Sequence, residues 1–188
     1  MKERPLLMSA PMVRATLDDR KTVTRRVVKG QALAWLNADF NPGFVAEKDN
    51  YCCPFGYAGD RLWLRETWKS YGNPAKGVVH IGYKAGGPDL FVDCDAPPKY
   101  QVLSKSWKPS IHMPRWASRI SLEIMSIKVE RLQDITEEQA KAEGVELSAN
   151  APDHKMAFAF LWEIINGDKY PWESNPWVWA ISFKRVEI

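Results

Sequence analysis

Cysteine and histidine are scarce in this chain, with three of each in 188 residues. The cysteines are Cys52, Cys53 and Cys94, odd in number and two of them adjacent. That usage excludes a disulfide framework and points to a reducing, cytoplasmic setting. No CxxC pairing and no HExxH helix is present, so these cysteines with His80 or His112 lack metal-ligand spacing. No metal and no other cofactor is expected. No apolar run is long enough to span a bilayer, and Met1-Lys2-Glu3-Arg4 leads into nothing leader-like, so no membrane partner is expected. Glycine-rich phosphate loops and Ser-His-Asp patterns are missing too. So is charge of one sign: 26 Lys+Arg against 23 Asp+Glu leaves +3, too little to imply nucleic acid by itself.

What is present is an apolar share of 45% with 26% charged residues, the balance of a globular domain. Nine tryptophans are many for this length. They build a core with large rings, or some of them line a pocket and stack on a planar ligand. Basic residues cluster at Arg20, Lys21, Arg25, Arg26 and Lys29, and again at Lys99, Lys105, Lys108 and Arg115. Either cluster is a solvated face or an anion site.

Ser9-Ala10-Pro11 reads as a helix start, continued by apolar spacing at Met12, Val13, Thr16 and Leu17. The β-branched, basic run 22–28 reads as a turn feeding a strand. Residues 30–57 and 85–118 are rich in glycine and proline. They read as irregular insertions, the first with a short helix near 32–37 and the second a long loop packed over the domain. Between them, 61–68 reads as one strand with Leu62, Leu64 and Glu66 on one side, and 78–84 as a second. Arg119 to Leu132 reads as a strand whose apolar phase shifts near Met125-Ser126, so a bulge is expected there. Thr136 and Gln139 form a capping box opening a helix that Gly144 ends. Asp153 to Asn166 reads as a second helix, with Phe158, Leu161, Trp162 and Ile165 on its apolar face. Residues 177–186 read as a central closing strand. The expectation is one α+β domain over 1–188, with five to six strands in a small bent or closed barrel. About three helices flank it, and two long loops are inserted.

The run Asp19-Arg20-Lys21-Thr22-Val23-Thr24-Arg25-Arg26 concentrates chemistry. Lys21 and Thr24 face opposite sides of a straight strand, but meet if the helix turns into the strand between them. A threonine hydroxyl needs a base, and a lysine loses its proton more readily when desolvated or beside other cations. The same residues also suit a basic strand edge on the surface. Glu143 sits in the last turn of its helix, where the dipole disfavours a carboxylate by roughly 0.3–1 kcal/mol. It is a solvated acid or one held to move protons. Glu66, pointing inward, is a substrate contact or the salt-bridge partner of an arginine. In Pro109-Ser110-Ile111-His112-Met113-Pro114-Arg115-Trp116 the prolines stiffen the loop and aim Arg115 and Trp116, a pair suited to a nucleobase or a phosphate.

The stretch 19–26 resembles the GxKxxExR-type signature of the ASCH domain, a relative of the PUA RNA-binding fold. Asp19 stands where the signature has glycine, and Thr24 where many members have glutamate. The threonine form is similar to the small bacterial N4-acetylcytidine amidohydrolases of that superfamily, in which a lysine, a threonine and a glutamate are catalytic. Lys21 and Thr24 match the first two, and Glu143, in the segment 132–144, matches the third. Residues 58–66 and 175–183 resemble the barrel strand after a Gly-Asp turn and the closing strand. The whole layout resembles the larger ASCH-like proteins of phages and prophages. The resemblance implies a PUA-like barrel and a metal-independent amidohydrolase. It would remove an acyl group from the exocyclic amine of an N4-acylated cytosine nucleoside or base. Lys21, Thr24 and Glu143 would be catalytic, with Arg26, Glu66, Trp68, Arg115 and Trp116 binding substrate. The expected partner is a modified pyrimidine nucleoside or a single-stranded nucleic acid, and no obligate protein partner is evident. Two other readings stay open: a non-catalytic module binding RNA or a modified base, and a ribonuclease using Lys21 and a carboxylate.

Overall fold

A computed structural model describes residues 1–73, 78–93 and 104–187. In chain order the elements are β1 (Glu3–Leu7), α1 (Ala10–Leu17), β2 (Val23–Val27), α2 (Gly30–Asn37), α3 (Pro42–Ala46), β3 (Arg61–Arg65), β4 (Trp68–Asn73), β5 (Val78–Tyr83), β6 (Leu90–Asp93), β7 (Ser104–Lys108), β8 (Ser121–Arg131), α4 (Glu137–Ala142), α5 (His154–Asn166) and β9 (Trp177–Val186). The fold is α+β. Its first sheet has the order β1-β3-β8-β9-β2 and its second the order β6-β5-β4-β7.

Alternation explains the first sheet. Leu62 and Leu64 on β3, Leu122 and Ile124 on β8, and Trp179, Ile181 and Phe183 on β9 are buried in one core with Val13 of α1. Burying each such side chain is worth about 1.5–3 kcal/mol. The β8–β9 register shifts between Ile124 and Ser126, as the change of apolar phase predicts. The extra residue lets β8 feed this core at one end. At its other end β8 leads to a smaller core of Leu132, Ile135, Ala140, Phe158, Trp162 and Val178.

β1 and β2 are the two edges of the first sheet, and no backbone ladder joins them among the described residues. One side chain crosses the gap: Nη2 of Arg26 on β2 donates to the carbonyl of Leu7 on β1 at 2.7 Å.

Several expectations need correcting. The run 61–68 is not one strand, because the chain leaves the first sheet at Glu66-Thr67 and Trp68 opens β4 of the second. A local conflict explains the break. Arg65 Nε donates to the Met113 carbonyl at 2.9 Å, while Glu66 turns inward onto Arg119. Residues 85–118 are not a plain loop, since they contribute β6 and β7, while 30–57 holds the expected short helix as α2 and adds α3. The described residues therefore hold nine strands and five helices, where the sequence predicts five to six and three. The second sheet buries Trp68, Val79, Ile81 and Tyr83 against Met113 and Ala117. Its outer face carries Tyr71 stacked on His80 at 5.1 Å, and Lys69 lying over the Trp107 ring at 4.8 Å. Cys94 and Lys99 lie outside the described residues.

Candidate active site

The site begins where α1 stops. Asp19 adopts φ 55°, a left-handed turn of the kind glycine takes most readily, at the position where the signature carries glycine. The amides of Arg20 and Lys21 then both donate to the Ala15 carbonyl, at 2.8 and 2.9 Å, which reverses the chain. Lys21 forms a one-residue antiparallel bridge with Glu143 before β2 begins. On the other side, the capping box fixes the start of α4: Thr136 Oγ1 accepts from the Gln139 amide, and Gln139 Oε1 accepts from the Thr136 amide. Helix α4 is capped at its C-terminus by Glu143, and Gly144 follows at φ 78°.

Gly144 lies against the backbone of the site. A Cβ placed there would come within 2.8 Å of Ala15 Cβ and 2.9 Å of Lys21 Cβ. Gly144→Ala should therefore combine left-handed strain with a clash, costing about 2–4 kcal/mol. Chemical denaturation checks this, and a loss under about 1 kcal/mol would mean the Lys21 turn is free to shift.

Lys21 and Glu143 are both buried, with side chains 3% exposed. Lys21 Nζ donates to Glu143 Oε2 at 2.6 Å, to the Glu143 carbonyl at 2.9 Å and to the Val23 carbonyl at 2.9 Å. Three acceptors match the three N–H groups of an ammonium, so the resting pair is ionic. Desolvation pulls the Lys21 pKa below the ordinary lysine value, opposed by the Glu143 carboxylate and reinforced by the nearby Arg26 and Arg25.

The second oxygen of Glu143, Oε1, accepts from Arg25 Nη1 at 3.2 Å. Arg25 is wholly buried. Its Nε and Nη2 donate to Glu130 Oε1 at 3.0 and 2.6 Å, and Nη2 also reaches Gln139 Oε1 at 2.9 Å. The same Gln139 oxygen thus serves the helix cap and the guanidinium. Two cations and two carboxylates make a neutral, multiply hydrogen-bonded cluster, which offsets the cost of such burial.

Thr24 is different. Its residue is 2% exposed, yet its hydroxyl makes no hydrogen bond within the described residues. It lines a cavity of about 590 Å³, together with Lys21, Arg25, Arg26 and Glu143. Apolar walls come from Leu6 and Met8 at β1, Met12 of α1, Phe55 of the first insertion, and Phe158, Leu161, Trp162 and Ile165 of α5. Thr67 and Ser110 supply polar groups. An apolar chamber of this size with a few convergent polar groups is what a small planar ligand needs.

The structure therefore brings Lys21, Thr24, Glu143 and Arg26 to one cavity. The other residues assigned to substrate lie outside its lining. Glu66 is held by Arg119 through two bonds, Nε to Oε1 at 2.9 Å and Nη2 to Oε2 at 3.0 Å. Desolvation raises the Glu66 pKa, and Arg119 opposes the shift. Trp68 is buried edge-on against Trp116 at 5.9 Å, in the core of the second sheet. Arg115 pairs with Glu3 at 3.0 Å. The physical reason is the break after Glu66, which sends Trp68 into the other sheet, and the competing partners that capture Glu66 and Arg115. Of the basic run, Arg20 turns outward to Asp18 and Glu146.

Sequence reasoning missed Arg25, Glu130 and Gln139. A period-two strand puts Arg25 opposite Thr24, and nothing local says that the far face of β2 is covered by α4 and α5. Phe55 was hidden in a stretch without periodicity. No group of three or more His, Cys, Asp or Glu that could hold a metal exists among the described residues. No helix among them is long and apolar enough to cross a membrane.

Comparison with known protein families, curated proteins and solved structures finds no match to this chain.

Proposed function

We propose that this protein is a metal-independent amidohydrolase of ASCH type, with a PUA-like barrel left unlaced between β1 and β2. It removes the acyl group from the exocyclic amine of an N4-acylated cytosine. The observation that carries the reading is the partnerless Thr24 hydroxyl, in one apolar cavity with the Lys21–Glu143 pair.

The Lys21 proton first passes the 2.6 Å to Glu143, leaving a neutral amine and a carboxylic acid. Thr24 Oγ1 attacks the acyl carbonyl and its proton goes to Lys21. The re-formed ammonium lies beside the developing oxyanion. The C–N bond breaks, and Glu143 returns its proton to the leaving amine. Water then attacks the acyl-threonine and gives a proton to Glu143. The threonine oxygen leaves with the Lys21 proton. The carboxylic acid product sheds its own proton to solvent, and Lys21 is left neutral with Glu143 protonated, the pair from which the attack began; return of that proton to Lys21 restores the resting ion pair. Arg26, which makes no ion pair among the described residues, holds the ribose side of the ligand. Phe55, Phe158 and Trp162 offer the walls for the pyrimidine.

The mechanism needs one proton shared by Lys21 and Glu143. Because burial lowers the Lys21 pKa, that proton is lost to solvent below the ordinary lysine range. Deacylation of N4-acetylcytidine should therefore fall at alkaline pH, with a midpoint below the ordinary lysine range. Lys21→Ala should lose about 10²-fold or more. A rate that stays level through the ordinary lysine range, or an active Lys21→Ala, removes Lys21 from the chemistry. The stability linkage has the same origin. The folded pKa is below the unfolded one, so the native state binds fewer protons between the two and stability gains as pH rises through that window.

One observation favours a second reading. Lys21 is saturated by three acceptors and makes no bond to Thr24. That is also how a purely structural ion pair looks, and it suits a module that binds a modified base or RNA without turnover. Tight binding of N4-acetylcytidine with no acid released over a panel of acylated cytidines would decide for it.

A further inference from the structure

A second chamber of about 500 Å³ adjoins the first and shares Arg25, Arg26, Phe55 and Asn166 with it. Its other polar groups come from Lys29, Gly30 and Tyr170, and no carboxylate lines it. Arg25 is already neutralised by Glu130 and Glu143. The remaining cations are not. Arg26 has one partner, the Leu7 carbonyl, for its five N–H groups. Lys29 makes no ion pair within the described residues, and its amine lies 5.5 Å from the centre of the Tyr170 ring. Neither the Asn166 amide nor the Tyr170 hydroxyl makes a hydrogen bond among those residues.

The start of α2 opens here as well. Lys29 is its N-cap and makes no side-chain capping bond, and the first turn holds no acid. Helices usually meet such a terminus with a capping oxygen or a carboxylate. Here two cations without an ion-pair partner among the described residues, an amide, a hydroxyl and the first residue of α2, Gly30, line a cavity without a single negative group. The missing component is an anion.

We infer that this chamber is a phosphate subsite, taking a phosphate carried on the ribose of a ligand whose base occupies the first cavity. The inference rests on the reading of that cavity as a pyrimidine site. Arg26, standing at the boundary, contacts the ribose phosphate from one side and Lys29 from the other. The preferred ligand is then a nucleotide unit, free or within a strand, over a nucleoside.

Calorimetric titration of wild type and Lys29→Ala tests this with ligands that are not consumed. The pairs are ribose 5-phosphate against ribose, and cytidine 5′- and 3′-monophosphate against cytidine. In wild type the phosphorylated member of at least one pair should bind about tenfold more tightly. In Lys29→Ala that preference should shrink severalfold. Equal affinity within both pairs, or a preference that Lys29→Ala leaves untouched, overturns the subsite. A short cytidine oligonucleotide that binds more tightly than the monophosphates assigns the phosphate to a strand; no extra gain assigns it to a free nucleotide. The two readings fail separately. A Lys29-dependent preference without deacylation keeps the subsite and removes the hydrolase, and deacylation without the preference does the reverse.

Discussion

Thr24→Ala should reduce deacylation of N4-acetylcytidine by more than about 10³-fold and leave the fold intact. The two halves of this expectation have separate causes. In the proposed mechanism Thr24 Oγ1 forms the new bond, so no neighbouring group replaces it. The hydroxyl makes no hydrogen bond among the described residues, so deleting it strands no buried donor or acceptor. Thr24→Val, which keeps the volume, should stay within about 1 kcal/mol of wild type by denaturant titration. Thr24→Ser, which keeps the oxygen, should retain measurable turnover. Acid release and the unfolding midpoint are measured side by side. Full activity in both Thr24→Ala and Thr24→Val would end the proposed chemistry.

Glu143→Ala should be among the most destabilising single changes in the chain, at about 3–5 kcal/mol. Glu143 joins two buried cations, Lys21 at 2.6 Å and Arg25 at 3.2 Å, and its removal leaves the buried Lys21 ammonium without a counter-charge. Lys21→Met should cost less, because Glu143 then still has Arg25. A double-mutant cycle makes the comparison quantitative: adding Lys21→Met to Glu143→Ala should restore stability, since no stranded ammonium remains. Strictly additive losses would show that a stranded Lys21 ammonium is not the source of the loss.

Much of this was legible in the residues, and the reasons are local. The Thr136–Gln139 capping box, the bulge at Met125-Ser126 and the closing strand to Val186 rest on neighbours a few positions apart. The convergence of Lys21, Thr24 and Glu143 was readable through the signature, because a turn after α1 is the only way to bring the first two together. What was not legible depends on partners distant in the chain. Arg25 looks like one more cation in a basic run until Glu130 and Glu143 meet it from 105 and 118 residues away. Glu66 looks like a pocket acid until Arg119 takes both its oxygens. The break after Glu66 follows from competition between two sheets, and alternation within one strand carries no trace of it. Lys29, in a stretch without periodicity, gains meaning only from what its cavity omits.

The shared oxygen of Gln139 has a consequence for how the molecule assembles. Oε1 of this residue accepts from the Thr136 amide and from the Arg25 guanidinium at once. Nucleation of the short helix and capture of a residue on a distant strand are therefore one cooperative event. Amides of 136–143 and of 23–27 should lose hydrogen-exchange protection together, as a single opening unit. A helix of six residues is too short to persist alone, and the acid at its far end is poised only once the charged strand has been recruited.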